Sequence, residues 1–246
     1  MTKLSTPHVV NELGQAIGLP VGDWRAPDPP SRESMSGRTC RLERLDPERH
    51  AADLHVANML DREGRNWTYL GYGPFASLDA YRKWADEVSK ESDPLFFTIV
   101  DSALGKAVGV ASYLRINPAS GSIEVGHINY SPLLQRRPAA TEAMYLMMKR
   151  AFDAGYRRYE WKCDALNAPS RAAAERLGFS YEGIFRQAMI YKGRNRDTAW
   201  YAAIDSEWPE LDKAFTRWLD VSNFDDEGRQ RVSLRELTRP ILKARS

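Results

Sequence analysis

The sequence predicts a mixed α/β fold in which helices flank a mostly antiparallel sheet. Strand-like and helix-like patterns alternate along the chain. Three of the strand segments follow one another across short turns, which favours antiparallel pairing. A later section has the order strand, helix, strand, helix, which is typical of a right-handed crossover. The 246 residues, 43% of them hydrophobic, can bury one large core or two small ones.

The first 37 residues are predicted to form an arm packed on the main domain. Prolines and glycines interrupt this segment, and no periodic pattern is sustained in it. Apolar residues such as Val9, Ile17 and Trp24 favour packing against a surface over a free chain. Regular patterns begin at residue 38, which we take as the start of the main domain.

The first half of the main domain is predicted to contain a strand, two helices and three further strands. The first strand spans residues 38–45, and Asp46-Pro47 starts the first helix. An aromatic, glycine-containing loop over residues 66–77 precedes the second helix. The three further strands span residues 95–100, 107–115 and 122–130. Gly109 and Gly126 within them indicate bulges or close approach of the backbone.

The second half continues with a helix, a strand, a short helix, a hairpin and a final helix. These elements span residues 138–154, 156–163, 168–177, 181–204 and 208–219. We assign residues 38–205 to the main domain and residues 206–246 to a C-terminal helix with a basic tail. The tail leaves contact with RNA or a partner open, but its composition favours a solvated helix.

Composition narrows the classes of function. The formal net charge of +2 gives no global field for nucleic acid, which is therefore not an expected partner. Cys40 and Cys163 lie far apart without metal-ligand spacing, so we expect neither a disulfide framework nor a metal site. No apolar run reaches the roughly 18 residues that span a bilayer, and no signal-peptide pattern is present. We expect a cytoplasmic protein that does not bind membranes, and a homodimer stays open.

A candidate anion site lies where the strand over residues 122–130 leads through a short loop into a helix. The free N–H groups and the dipole of a helix start attract anions. The segment supplies polar and cationic side chains, followed by small residues that leave its backbone approachable: Gln135, Arg136, Arg137, Ala139 and Ala140. An ordinary helix start with basic residues facing water explains the same pattern.

Residues 135–140 (QRRPAA) resemble the pyrophosphate-binding loop of the GNAT acetyltransferase superfamily, whose pattern is Gln/Arg-x-x-Gly-x-Gly/Ala. Residues 167–170 (NAPS), followed by a helix and Gly178-Phe179, are similar to its second signature. The aromatic loop and the segment 192–200 (KGRNRDTAW) are similar to the ribosomal-protein N-terminal (Rim-type) branch and its uncharacterised bacterial relatives. The resemblance covers residues 38–205. It implies a twisted sheet splayed between the fourth and fifth strands, and acetyl transfer from acetyl-CoA to a primary amine.

The resemblance also implies how acetyl-CoA is held. The pantetheine arm should pair like an extra strand with the chain at Ile128 and Tyr130, and the QRRPAA loop should hold the pyrophosphate. Asn167 and Ser170 should contact pantetheine, with Ser170 as proton donor to the sulfur. Their own sequence pattern also fits a plain helix N-cap. Pro138 stands where the family has glycine and lacks an N–H, so we expect acetyl-CoA to bind, but more weakly.

Proton transfer needs a base near the thioester. Glu124 is the candidate, either directly or through water, although a solvated strand residue is the simpler reading. His127 faces away from Glu124 in a regular strand, but a bulge at Gly126 brings both to one face. Tyr159 and Tyr181 are alternative hydroxyl donors whose patterns favour the core.

The acceptor should enter beside the aromatic loop. Four of its residues are predicted to form a shaped wall, unless they pin the loop as buried anchors: Trp67, Tyr69, Tyr72 and Phe75. An α-amino group, with a pKa near 8, loses its proton more readily than lysine, near 10.4. We therefore expect a peptide N-terminus or a small-molecule amine as acceptor. A non-catalytic acyl-CoA-binding module is the alternative, because of Pro138.

Overall fold

The computed structural model describes residues 7–246, which form a two-stranded ribbon and one eight-stranded sheet with flanking helices. The strands are β1 (His8–Val10), β2 (Ala16–Gly18), β3 (Met35–Ser36), β4 (Cys40–Arg44), β5 (Leu95–Asp101), β6 (Lys106–Asn117), β7 (Ser122–Tyr130), β8 (Arg158–Asp164), β9 (Ser180–Tyr191) and β10 (Arg194–Ile204). The helices are α1 (Pro47–Asn58), α2 (Leu78–Ser89), α3 (Pro138–Asp153), α4 (Ala168–Arg176), α5 (Trp208–Leu219) and α6 (Leu234–Thr238).

The large sheet has the strand order β3-β4-β5-β6-β7-β8-β10-β9. Every neighbouring pair is antiparallel except β7 and β8, which run parallel because α3 carries the chain back across the sheet. The predicted mixed, mostly antiparallel α/β class is therefore confirmed. No helix within residues 7–246 is long and apolar enough to cross a membrane.

The sheet carries a core on each face, because side chains of a strand alternate between faces. Phe97 and Tyr113 lie in the larger core, which α3 and α5 cover with Met147 and Phe215. The adjacent Phe96 faces the smaller core under α1 and α2, which is rich in aromatic rings. Each fully buried side chain of this size contributes about 1.5–3 kcal/mol. The two cores together hold the sheet between two helical layers.

The predicted splay lies between β7 and β8. They pair only from Ser122 to Val125 on β7, and then separate. On its other side, β7 carries one extra residue opposite β6 between Gly126 and Asn129, and His127 there has a φ of 49°. Such a bulge bends a strand. Gly126 suits this position, since a Cβ there would lie 2.9 Å from a methyl carbon of Leu114.

A buried carboxylate fastens α3 to the first strands of the sheet. Glu142 is 5% exposed and accepts hydrogen bonds from the amides of Arg38 at 2.8 Å and Thr39 at 2.6 Å. The amide of Cys40 donates to the same carboxylate at 3.1 Å. A Cβ at Gly37 would come within 2.4 Å of the Glu142 carboxyl carbon, so this turn requires glycine. The start of the sheet and α3 therefore form one rigid unit.

The N-terminal arm contacts the domain from Trp24 onward. The Trp24 indole N–H donates to the Gly155 carbonyl at 3.0 Å, and Tyr156 donates to the Asp28 carbonyl at 3.2 Å. Further along, β3 joins the edge of the sheet. The β1–β2 ribbon before this contact is exposed to solvent.

The C-terminal tail departs from the expectation of a solvated helix. Ser233 and Glu236 form a capping box that starts α6, and Leu234 at its first position is 1% exposed. The hydroxyl of Thr238, which is fully buried, donates to the Arg176 carbonyl at 3.1 Å. The tail therefore packs against α4, because its few apolar and hydroxyl residues fall on one face while the basic ones stay outside.

Candidate active site

The separation of β7 and β8 opens a cleft of about 1250 Å³. The bulged half of β7 and the start of α3 form one side, and the end of β8 with α4 forms the other. The loop over residues 65–72 and the β9–β10 hairpin border one end. The C-terminal chain, including Phe224, Gln230 and Arg235, borders the other end. The cleft thus has two ends with different chemistry.

The loop before α3 is tightly folded. The side-chain N–H₂ of Gln135 donates to the Asn66 side chain and to the Tyr130 carbonyl, both at 2.9 Å. These bonds connect the loop to the chain after α1 and to the end of β7. Arg136 takes a left-handed φ of 60°, and Pro138 occupies the first position of α3, where its ring fits.

Several backbone amides of this loop donate within the chain. Those of Gln135, Arg137 and Ala140 donate to carbonyl groups at 3.1–3.2 Å. Within residues 7–246, the amides of Arg136 and Ala139 have no backbone acceptor. The amides of Gln135, Arg137 and Ala140 are thus already used within the chain, and Pro138 has no N–H. The loop therefore offers a phosphate fewer free amides than a helix start usually does.

The predicted cofactor residues mostly meet at the cleft. Its lining includes all but one of them: Ile128, Tyr130, Gln135, Arg136, Arg137, Ala140, Asn167 and Ser170. Ala139 is the exception, since it is 2% exposed and its side chain belongs to the larger core. Asn167 caps α4 by accepting the Ser170 amide at 3.1 Å, as its sequence pattern predicts.

Arg176, at the end of α4, is a cleft residue for which the sequence suggests only added positive potential near the phosphates of the cofactor. Its guanidinium donates to the Thr141 hydroxyl, in the first turn of α3, at 2.9 Å. Burial lowers its pKa, and no carboxylate within the described residues pairs with it. A cation beside the positive end of a helix needs an anion for compensation. The position of Arg176 on a helix could be predicted from the sequence, but the distance between Arg176 and α3 could not.

Glu124 lies in the cleft close to where β7 and β8 separate. Its side chain is 3% exposed and is held between two cations, Arg115 at 2.8 Å from Oε1 and Lys162 at 2.9 Å from Oε2. Burial raises the pKa of this carboxyl, and the two cations oppose that shift. Lys162 also pairs with Glu160 at 2.6 Å and lies over the Trp200 ring. The sequence did not predict either cation as a partner of Glu124.

The bulge brings His127 to the face of the sheet that carries Glu124. Its ring stacks on Tyr72 at 5.7 Å and packs against Phe96 at 5.1 Å. Burial lowers its pKa to about 4, and the nearby charges of Arg115 and Arg196 act in the same direction. The imidazole is therefore neutral at pH 7 and is a weaker base than an ordinary histidine.

The hydroxyl of Ser170 faces the cleft from the first turn of α4. It accepts a hydrogen bond from the Trp161 indole at 3.1 Å, so its own proton is directed elsewhere. Tyr159 is fully buried in the larger core, and Tyr181 packs on Tyr201. Neither of these tyrosines lines the cleft.

The aromatic loop supplies two of its four predicted wall residues. Tyr69 and Tyr72 line the cleft, and the Tyr69 hydroxyl donates to the Leu166 carbonyl at 3.2 Å. Trp67, which is 3% exposed, and Phe75 lie behind them in the smaller core, where their rings meet edge to face at 5.5 Å. These two rings support the wall instead of forming it, because their apolar surfaces are buried against α2.

Residues 40–180 match the acetyltransferase (GNAT) domain family. The chain belongs to the GNAT family. A GCN5-related N-acetyltransferase from Brucella melitensis is 47% identical over 89% of this chain and 100% of its own, with a TM-score of 0.87. A protein of Chromobacterium violaceum, described as a probable GNAT acetyltransferase, is 39% identical over 79% of this chain and 98% of its own, with a TM-score of 0.73. The GNAT protein is therefore an N-acetyltransferase.

More distant relatives share the fold. An acetyltransferase of Salmonella typhimurium that modifies the N-terminal serine of a 50S ribosomal subunit protein is 23% identical, over 70% of this chain and 99% of its own, with a TM-score of 0.59. At this identity the likeness shows the fold alone, so the ribosomal-protein branch stays a prediction. No curated protein matches the chain significantly.

Proposed function

We propose that this N-acetyltransferase transfers acetyl from acetyl-CoA to a primary amine by direct attack in a ternary complex. One observation carries the proposal: a buried carboxylate, Glu124, lies in the cleft that opens where β7 and β8 separate. At one end of this cleft the residues suit a diphosphate, and at the other they suit an amine.

The cofactor end fits acetyl-CoA through charge and through an open strand edge. Arg136 and Arg137 precede α3, and the uncompensated Arg176 lies beside its first turn. Phosphate oxygens are well matched by guanidinium groups. Beyond Val125, β7 has no neighbour on the β8 side, so its backbone can pair with an extended chain carrying amides. Ile128 and Tyr130 occupy this open edge, where we place the pantetheine arm.

The chain contributes proton acceptance and proton donation. When bound, acetyl-CoA supplies a thioester whose carbonyl carbon bonds to the amine nitrogen as the carbon–sulfur bond breaks. Glu124 accepts the amine proton, directly or through water, and Ser170 gives its hydroxyl proton to the leaving sulfur. The proton on Glu124 then replaces the one lost by Ser170 through solvent, so both residues regain their starting states. Burial acts in opposite directions on the two candidate bases, raising the pKa of Glu124 and lowering that of His127. Glu124 is therefore the better proton acceptor.

The wall of Tyr69 and Tyr72 encloses the acceptor end. We propose an α-amine, of a peptide or a small molecule, because its pKa near 8 lets a single carboxylate complete the deprotonation. The alternative, an acyl-CoA-binding module without activity, is favoured only by Pro138 and the amides that donate within the loop.

Two measurements on the whole protein separate these functions. Calorimetric titration of acetyl-CoA measures binding, and release of free thiol with a panel of peptides, polyamines and aminoglycosides measures transfer. We expect both binding and transfer. Binding without thiol release on any amine would favour the binding module, and no heat at millimolar acetyl-CoA would exclude both functions.

A further inference from the structure

The acceptor end of the cleft holds one basic side chain that differs from the others. Four line this region: Arg65, Arg115, Lys162 and Arg196. The first three form ion pairs with glutamates, which are Glu63 for Arg65, Glu124 for Arg115, and Glu124 with Glu160 for Lys162. Arg196 has no carboxylate partner within residues 7–246, and its Nε is buried without a hydrogen-bond acceptor. Its charge is therefore uncompensated by the protein.

The Tyr191 ring and the β9–β10 hairpin determine where the Arg196 side chain lies. Its guanidinium carbon lies over the Tyr191 ring, 5.9 Å from the ring centre, and the Tyr191 hydroxyl donates to Asp164 at 2.8 Å. The β9–β10 pairing shifts register after Arg196, which is a way in which strands redirect a side chain. Lys192, in the turn of the same hairpin, donates to the Trp67 carbonyl at 2.7 Å. The hairpin is thus fastened to the acceptor wall.

Arg196 also lines the same cleft as Glu124 and His127. Its charge and that of Arg115 both act on His127, which shares a face of β7 with Glu124. An acceptor whose amine reaches Glu124 would therefore bring a neighbouring group within reach of Arg196. A partly buried guanidinium without a protein partner is stabilised by an anion that supplies the missing hydrogen-bond acceptors.

We propose that the acceptor carries an anionic group, a carboxylate or a phosphate, which binds the guanidinium of Arg196. The proposal rests on the proposed function and names its substrate class, an amine with an acidic neighbour. Either anion can accept two parallel hydrogen bonds from a guanidinium. A polyamine offers no such group, and its second cation would be repelled by Arg196.

Matched acceptors test the proposal on the whole enzyme. C-terminally amidated Ala-Glu and Ala-Gln differ in one carboxylate, and phosphoethanolamine and ethanolamine differ in one phosphate. We expect the anionic member of a pair to show a kcat/KM at least about tenfold higher, and the pair that shows it identifies the anion. Equal kcat/KM within both pairs would overturn the proposal while leaving acetyl transfer intact. If acetyl-CoA binds but none of the acceptors causes release of free thiol, the result would instead contradict the proposed function, and this inference with it.

Variants connect the preference to Arg196. R196Q should bring the ratio of kcat/KM within the preferred pair close to one, and R196K should restore part of it, because lysine keeps the charge but loses the planar fork. The control is R194Q, since Arg194 lies on the same strand, is exposed and does not line the cleft. R194Q should keep the ratio of the unaltered enzyme. A preference for the anion that persists in R196Q, with unchanged thermal unfolding, would refute the assignment.

Discussion

The ammonium of Lys162 lies 2.9 Å from Oε2 of Glu124, across the parallel strand pair that separates one residue later. The ion pair favours the charged carboxylate, whereas burial disfavours it. The ion pair thus keeps the carboxyl charged and able to accept a proton, whereas burial makes its pKa higher than that of an exposed glutamate. A base of this kind suits an amine that needs only one proton removed.

Replacing Glu124 by glutamine should lower kcat by about 100-fold or more, because the amide cannot accept the proton. The affinity for acetyl-CoA, measured by calorimetry, should be retained, since the cofactor end is formed by α3 and α4. E160Q is the matched control, because Glu160 also pairs with Lys162 but does not line the cleft. A kcat in E124Q close to that of E160Q would remove Glu124 from the mechanism.

The pH profile of kcat/KM should carry an acid limb that belongs to Glu124. Its pKa is raised above the ordinary value of 4.5, so activity should fall as the pH drops through this raised value and the carboxyl becomes protonated. The limb should be absent from the residual activity of E124Q. A profile with the same limb in both enzymes would assign it to another group.

His127 should make stability depend on pH. Its pKa is about 4 in the folded protein against an ordinary 6.5, so the unfolded chain binds the proton more tightly. Its contribution to the free energy of unfolding is complete above pH 6.5 and is lost as the pH falls toward 4, by about 3 kcal/mol. Urea unfolding at pH 7 and pH 4.5 measures it. H127N, which tolerates the left-handed φ, should show a smaller loss, and an equal loss would contradict this account.

Arg176 should carry much of the cofactor affinity. R176Q should raise the Kd for acetyl-CoA by about 10- to 100-fold, since it removes a charged hydrogen-bond donor from the start of α3. The exposed Arg239, outside the cleft, offers the control R239Q, which should bind as the unaltered enzyme does. Calorimetry with desulfo-CoA avoids turnover. Equal affinities of the two variants would place the phosphates elsewhere.

Pro138 should weaken the binding of acetyl-CoA. P138A restores a backbone N–H at the first position of α3, where the side chain already borders the cleft. We expect the Kd for acetyl-CoA to fall by up to about tenfold, in line with one added hydrogen bond to a phosphate. A Kd that stays the same or rises would show that the proline ring, and its preset φ, suits this loop better than a free amide.

The tail should stabilise the domain. L234A should lower the free energy of unfolding by about 2–5 kcal/mol, because it leaves a cavity between α6 and the larger core. V221A, at a position that is 64% exposed, should change it by less than about 0.5 kcal/mol. Equal unfolding midpoints for the two variants would mean that the tail is held only loosely.

Much of the fold follows from local patterns. An apolar, β-rich run predicted the strand over residues 95–100, and the segment after the turn at 117–121 predicted the strand over 122–130; both are present with small differences at their ends. Gly126 predicted a bulge, because a missing side chain in a strand marks close approach, and β7 has that bulge. Within the candidate site, Asn167 could be predicted as a cap, since capping depends on residues only three apart.

By itself, the sequence determined the order of the elements, the mixed sheet and the family signatures around α3 and α4. These depend on residues that are neighbours along the chain. Only the tertiary structure decided that Arg115 and Lys162 hold Glu124, that Arg176 reaches Thr141, and that the tail closes one end of the cleft. Burial and charge pairing arise from distances across the fold, and a one-dimensional pattern does not contain those distances.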